Sequence, residues 1–182
     1  IVEQKDASEN EKRIKEINAG MYLFDIQKLV SALKRLTNDN VQGEYYLTDV
    51  IGILLGDGET ADTYIADIEE TMGVNDRIQL AEADALLNAR KIKELMQDGV
   101  CVINPSSVRA EADVKVGRDT VIYPGTILEG NTEICEGCII WQKSRITSCK
   151  IGNGTEMQYS VAVDSVVGNN TNVGPFAYIR PN

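Results

Sequence analysis

The chain of 182 residues has no histidine at all, so it cannot by itself build a Ser-His-Asp triad, a Cys-His pair or a histidine-containing zinc site. Positive charge is also short: 18 Lys and Arg stand against 28 Asp and Glu, a net charge of −10. Such a chain repels phosphate backbones, and nucleic acid is excluded as a general partner. Four cysteines make too few bridges for a disulfide scaffold. No apolar run reaches the ~18–20 residues a membrane helix needs, which predicts no membrane insertion, and no signal-peptide pattern opens the chain. Aromatic residues are scarce at 5% and prolines number four, yet apolar residues make up 43%, the proportion of a folded globular chain.

Composition changes near residue 100. Residues 1–99 hold 11 leucines and 15 Val plus Ile, whereas residues 100–182 hold one leucine, Leu128, and 20 Val plus Ile. Leucine favours helices and β-branched residues favour strands, so a helix-containing half precedes one that is almost wholly β. Gly99, suited to a helix C-terminus, marks the change.

The first half alternates in the α/β manner. After an extended start at Ile1–Glu3 and a polar, helix-prone stretch from Asp6, residues 16–24 read as a strand. Asp25 caps a helix to about Leu36, with Ile26, Leu29, Val30 and Leu33 on one face. Thr48 or Asp49 begins another, ended by Gly56-Asp57-Gly58, and residues 60–65 read as a second strand. A long helix follows over residues 76–97, its stripe formed by Ile78, Ala81, Ala85, Ala89, Ile92 and Met96, as suits a connector.

The second half repeats. Val116, Ile122, Leu128, Ile134, Ile140 and Ile146 each follow the last by six residues. The array slips by one to Ile151, continues at Met157 and Val163, slips again, and resumes at Val167, Val173 and Ile179. Small residues (Thr120, Thr126, Thr132, Cys138 and Ser144) lie four places after the first five. Neither a period of 2 nor one of 3.6 explains this, whereas a parallel β-helix does: the aliphatic residue points inward and the small one turns a corner. Three hexapeptides make a coil, which predicts about four coils.

Several segments together resemble one family. They are Ile1-Val2-Glu3-Gln4-Lys5-Asp6-Ala7, Glu16-Ile17-Asn18-Ala19-Gly20, Gln42-Gly43-Glu44-Tyr45-Tyr46-Leu47-Thr48-Asp49 and Gly73-Val74-Asn75-Asp76-Arg77. The hexapeptide array and Gly174-Pro175-Phe176-Ala177-Tyr178-Ile179-Arg180-Pro181 complete the set. In order and spacing they resemble the bifunctional N-acetylglucosamine-1-phosphate uridyltransferase/glucosamine-1-phosphate acetyltransferase family.

That resemblance implies a Rossmann-like nucleotidyltransferase domain ending within residues 1–75, a connector helix over 76–99, and the first coils of a left-handed β-helix acyltransferase over 100–182. It implies a cytoplasmic homotrimer acting on UTP, N-acetylglucosamine 1-phosphate, glucosamine 1-phosphate and acetyl-CoA, with Mg²⁺ at the uridyltransferase site. The chain then matches the middle of such an enzyme. The glycine-rich loop and a metal-binding aspartate would lie before it, and the catalytic histidine after it. This stretch alone is therefore expected to catalyse neither reaction.

Four residues match family positions. Asn75 corresponds to a ligand of magnesium and of the nucleotide product, and a carboxamide oxygen is a suitable hard donor. On spacing alone Asn75 is an ordinary helix N-cap. Glu3 and Asn18 correspond to contacts with the N-acetylglucosamine moiety, although each also reads as a strand-end or turn residue. Ala19 stands where the family has threonine. Arg180 corresponds to an arginine holding the sugar phosphate of the acetyltransferase site, or is a solvated charge on the last coil. Tyr45 and Tyr46 read as framework. Cys135 and Cys138 form a lone CxxC, and Cys138 falls on a small corner position, so packing rather than metal or redox chemistry is expected there. The other readings are a self-associating structural module and another hexapeptide nucleotidyltransferase, one making ADP-glucose or dTDP-glucose.

Overall fold

A computed structural model describes residues 1–3 and 5–181, in two compact units, Ile1–Gly73 and Val74–Asn182.

The first unit contains α1 (Ile26–Leu33) and α2 (Asp49–Gly56), which pack on each other, with short 3-10 turns at Glu11–Arg13 and Ile68–Glu70. Asp25 caps α1 as expected, its carboxylate accepting from the Gln27 and Lys28 amides at 2.9 and 3.1 Å. The helix stops short of Leu36, and its expected apolar face is largely open: Ile26, Val30 and Leu33 are exposed and only Ala32 is buried. Thr48 precedes α2 but makes no side-chain cap.

The strands expected at 16–24 and 60–65 do not form; among the described residues the first unit has no strand. Residues 21–24 keep the two-residue alternation, with Tyr22 and Phe24 stacked at 5.6 Å while Met21 and Leu23 face solvent. Extended backbone becomes a strand only when a neighbour takes up its N–H and C=O groups, and this unit supplies no neighbour. Backbone amides of residues 16–24 are therefore expected to exchange with solvent at least about a thousandfold faster than that of Ile139 in the coils described below. Equal protection measured by NMR hydrogen exchange would show that the segment is paired after all.

The second unit begins with α3 (Arg77–Gln97) and continues as a parallel β-helix. Its strands are β1 (Cys101–Val102), β2 (Arg109–Ala110), β3 (Lys115–Val116), β4 (Val121–Ile122), β5 (Ile127–Glu129), β6 (Glu133–Ile134) and β7 (Ile139–Ile140). They continue with β8 (Arg145–Thr147), β9 (Lys150–Ile151), β10 (Glu156–Met157), β11 (Val161–Val163), β12 (Val166–Val167), β13 (Asn172–Val173) and β14 (Tyr178–Ile179). Every pairing is parallel, and the three faces run β1-β4-β7-β10-β13, β2-β5-β8-β11-β14 and β3-β6-β9-β12. The helix thus has about five coils rather than four. Ala110 extends the six-residue spacing backwards, and Val102 was hidden because a 3-10 turn at Pro105–Ser107 inserts two extra residues before Ala110.

Ile122, Leu128, Ile134, Ile140, Ile146, Ile151 and Met157 fill the interior, all essentially inaccessible. One inward assignment changes. Ala162, not Val163, is the interior residue of β11, held in register between Ile146 and Ile179. The spacing from Met157 through Ala162 to Val167 is therefore five and five, not six and four.

The small corner residues are buried and bonded. Thr120 donates to the Cys135 carbonyl one coil on at 2.9 Å and accepts the Cys138 amide at 3.1 Å. Thr132 Oγ1 donates to the Glu129 carbonyl and accepts the Cys149 amide at 3.4 Å; Thr155 donates to the Gly168 carbonyl at 2.7 Å. At these corners the chain bends away from its ladder, and a short hydroxyl reaches the groups left over. On the outside, neighbouring coils share charge pairs, Glu129 with Arg145 at 2.8 Å and Glu133 with Lys150 at 3.4 Å. The Arg145 guanidinium beside Glu129 holds its carboxyl below the usual range.

Candidate functional site

The four predicted residues divide between the units: Glu3 and Asn18 lie in the first, Asn75 and Arg180 in the second. Asn75 sits just before α3, whose N-cap is Asp76 rather than Asn75. The Asp76 carboxylate accepts the Gln79 amide at 2.8 Å, and the Gln79 side-chain oxygen accepts the Asn75 amide at 2.7 Å. This is a reciprocal cap displaced by one residue. Because Asp76 caps the helix, the exposed Asn75 carboxamide makes no hydrogen bond among the described residues and remains available to a ligand. The helix start adds its partial positive charge nearby.

Asn18 is spent locally. Its Oδ1 accepts the Gly20 amide at 3.2 Å and its Nδ2 donates to the Tyr22 hydroxyl at 2.6 Å, in a turn where Gly20 takes φ +76°. Glu3 is half-buried, and its carbonyl accepts the Asp6 amide at 3.0 Å. No hydrogen bond joins the two side chains among the described residues. Tyr46 serves as framework: its hydroxyl accepts from Gln42 at 2.8 Å and donates to Asp6 at 3.3 Å, while Tyr45 is exposed.

Arg180 follows β14, at the opposite end of the coil stack from α3. Its carbonyl accepts from Ser165 Oγ at 3.1 Å, and its exposed guanidinium has no ion pair among the described residues. Arg109 and Arg145, by contrast, are committed to Asp84 and Glu129. From β2 to β14 there are four rungs, ~19 Å at 4.8 Å each, so Arg180 is remote from the coil that α3 touches.

Cys138 is fully buried at its corner, with Sγ 3.2 Å from the Gly152 carbonyl, and burial pushes its thiol above the ordinary value. It does the work that threonine does at other corners. Among the described residues no group of three or more Cys, Asp or Glu side chains could jointly hold a metal. Nor is any helix long and apolar enough to cross a membrane.

The sequence missed two features of this unit. Only Ile92 of the expected α3 stripe is buried; Ile78, Ala81, Ala85, Ala89 and Met96 are exposed. The docked face instead carries Asp84, Asn88, Ile92 and Leu95. The spacing of those four was legible as one helix face, but a polar half does not register as a contact surface when only apolar residues are counted.

Residues 113–148 match the family model for the bacterial transferase hexapeptide (six repeats). Over its full length the chain is 53% identical to the bifunctional protein GlmU of Caldanaerobacter subterraneus subsp. tengcongensis. It is 53% identical to that of a Geobacillus strain and 52% identical to that of Clostridium beijerinckii. The chain spans about 40% of the length of each of these relatives. The resemblance read from the motifs therefore holds along the whole chain.

Proposed function

We propose that the chain is part of a bifunctional transferase that makes UDP-N-acetylglucosamine for cell-envelope polysaccharides. In this reading acetyl-CoA acetylates glucosamine 1-phosphate, and the product then receives a uridylyl group from UTP with Mg²⁺. The observation that carries it is an identity of about half, over a match that takes in the whole chain, to proteins named as bifunctional. The first unit is then the closing portion of a Rossmann-like domain whose sheet lies in sequence outside this chain. The coils are the beginning of a left-handed prism that assembles as a cytoplasmic homotrimer.

In the uridyltransferase centre, Asn75 offers a neutral, hard oxygen, which suits Mg²⁺; phosphates and water supply most of that ion's remaining oxygens. The ion, when bound, neutralises charge developing on the phosphates. The reciprocal cap at Asp76 and Gln79 holds the Asn75 backbone so that its side chain is already positioned. Within the first unit, and in the same reading, Asn18 and Glu3 are contacts for sugar hydroxyls, Asn18 through the lone pair and N–H that its bonds to Gly20 and Tyr22 leave over. In the acetyltransferase centre, the Arg180 guanidinium, which has no ion pair among the described residues, takes the sugar phosphate in bidentate fashion. Neither centre is complete in this stretch, so ligand binding rather than turnover is its expected residual activity.

Calorimetric titration of the chain with UDP-N-acetylglucosamine and Mg²⁺ tests this. Binding is expected, weakened at least about tenfold by Asn75→Ala through loss of a charge-assisted contact, and unchanged by Arg180→Ala. No heat with the unsubstituted chain would overturn the retained half-site, and equal effects of the two substitutions would overturn the assignment of separate centres.

A further inference from the structure

Neighbouring coils of the β-helix are joined in three ways: inward aliphatic side chains stack, backbone groups pair, and outward charges meet across the rung. At the first coil no preceding coil exists in this unit to provide them, yet α3 lies against β1, β2 and the turn at Pro105–Ser107 and supplies all three.

Ile92 and Leu95, each 2% exposed, join Val100, Val102, Val108, Ala110 and Val114 in the core. They occupy the position that aliphatics of a preceding coil would fill. The backbone match is closer still. In β2 the Arg109 and Glu111 amides point to β5, reaching the Thr126 and Leu128 carbonyls at 3.0 Å each. The Val108 carbonyl and the Ala110 amide therefore face the open edge. Asn88 takes both: its Nδ2 donates to Val108 O at 2.9 Å and its Oδ1 accepts the Ala110 amide at 3.0 Å. A carboxamide has the donor and acceptor of a peptide group, so one side chain acts as a one-residue strand. One turn earlier Asp84 binds the Arg109 guanidinium in bidentate fashion at 2.6 and 2.8 Å, repeating the outward pairing of Glu129 with Arg145. That pair is half-exposed and steers the docking more than it holds it.

We propose that α3 is the end cap of the β-helix, and that the Asn88 carboxamide blocks pairing of the first coil with that of a second copy of the chain. A solenoid end is an apolar disk rimmed by unpaired edge groups, and such ends need an atypical, polar cap. The occupant held off is a second copy because the edge is self-complementary. Val108 O and Ala110 N of one molecule match Ala110 N and Val108 O of another across a two-fold axis, as residues exchange bonds in an antiparallel pair.

The test compares the whole chain with Asp84→Ala/Asn88→Ala and with Asn88→Asp, by sedimentation velocity across a range of concentrations and by hydrogen exchange at Ala110 and Ile139. In the double variant the helix before Ile92 loses its polar hold, so Ala110 is expected to exchange about tenfold faster or more while Ile139 is unchanged. Its assembled mass is expected to reach twice that of the unsubstituted chain. Asn88→Asp keeps an acceptor for the Ala110 amide but replaces the donor to Val108 O with a second oxygen. Repulsion between that oxygen and the carbonyl loosens the contact and speeds exchange at Ala110. A carboxylate at the edge opposes strand addition, so the mass of this variant stays that of the unsubstituted chain. Equal mass for all three proteins, association of Asn88→Asp, or retained protection at Ala110 in the double variant would each overturn the proposal. If the double variant loses protection at Ile139 as well, Asn88→Asp decides. Faster exchange at Ala110 without a change at Ile139 then supports the cap, and any other pattern overturns it.

Discussion

Ile140→Ala is expected to cost about 2–5 kcal/mol of unfolding free energy, the range for a large aliphatic removed from a core that cannot collapse around the gap. Ile140 is fully inaccessible and sits on the middle rung of its face, with Ile122 on one side and Met157 on the other. Both neighbours are tied by backbone ladders, so neither can move in to fill the space without breaking hydrogen bonds. The adjacent Ile139 is the control, because it points outward from the same strand and is only half-buried. Ile139→Ala is expected to cost less, about 1–2 kcal/mol, since its side chain is only partly buried and its removal leaves a surface dent rather than a closed cavity. Denaturant unfolding followed by circular dichroism reads both. The two-residue period of the strand predicts a clear difference in midpoint; similar costs at 139 and 140 would mean that the interior is not where the register places it.

A single methyl group at Gly152 is expected to be nearly as damaging. A Cβ there would lie 2.5 Å from Asn169 Oδ1 and 2.6 Å from both Asn169 N and the Gly168 carbonyl carbon. Two of those three atoms are backbone, so the neighbouring coil must shift rather than a side chain swing away. That coil is held in turn by an asparagine relay: Asn169 Oδ1 accepts the Asn153 amide at 2.8 Å, and Asn153 Oδ1 accepts the Glu136 amide at 3.1 Å. Overpacking against so constrained a corner is expected to cost on the order of 3 kcal/mol. Gly137→Ala separates crowding from backbone strain, because nothing lies within 4 Å of its added Cβ while its φ is +66°. The strain alone is expected to cost about 1 kcal/mol. Equal unfolding midpoints for the two variants would show that the coils at Gly152 are farther apart than described.

The array of aliphatics from Val116 to Ile179 was legible because each coil must bury one such residue per face, which forces a period that neither helix nor strand produces. The threonines and Cys138 were legible as small corner residues for a related reason, although their carbonyl partners one coil away were not. Asn75, Asn18, Glu3 and Arg180 were legible only as matches to a family; their local chemistry is shared by ordinary caps and turns. Counting apolar positions misled where polar groups do the packing, as on the docked face of α3, and where strand-like alternation has no partner, as in residues 16–24.

The order of residues by itself determined that the second unit coils, which side chains fill most of its interior, and that the chain is too acidic and histidine-free for several chemistries. Tertiary contact alone decided the rest. Ala162 rather than Val163 turns inward because β8 and β14 pin its register from both sides. Asp76 rather than Asn75 caps α3, and Asn88 finds the open edge of β2, because only the folded chain brings a donor within about 3 Å of a particular acceptor. Periodicity reports what every repeat needs in common, whereas a hydrogen bond depends on where one atom ends up relative to another far along the chain.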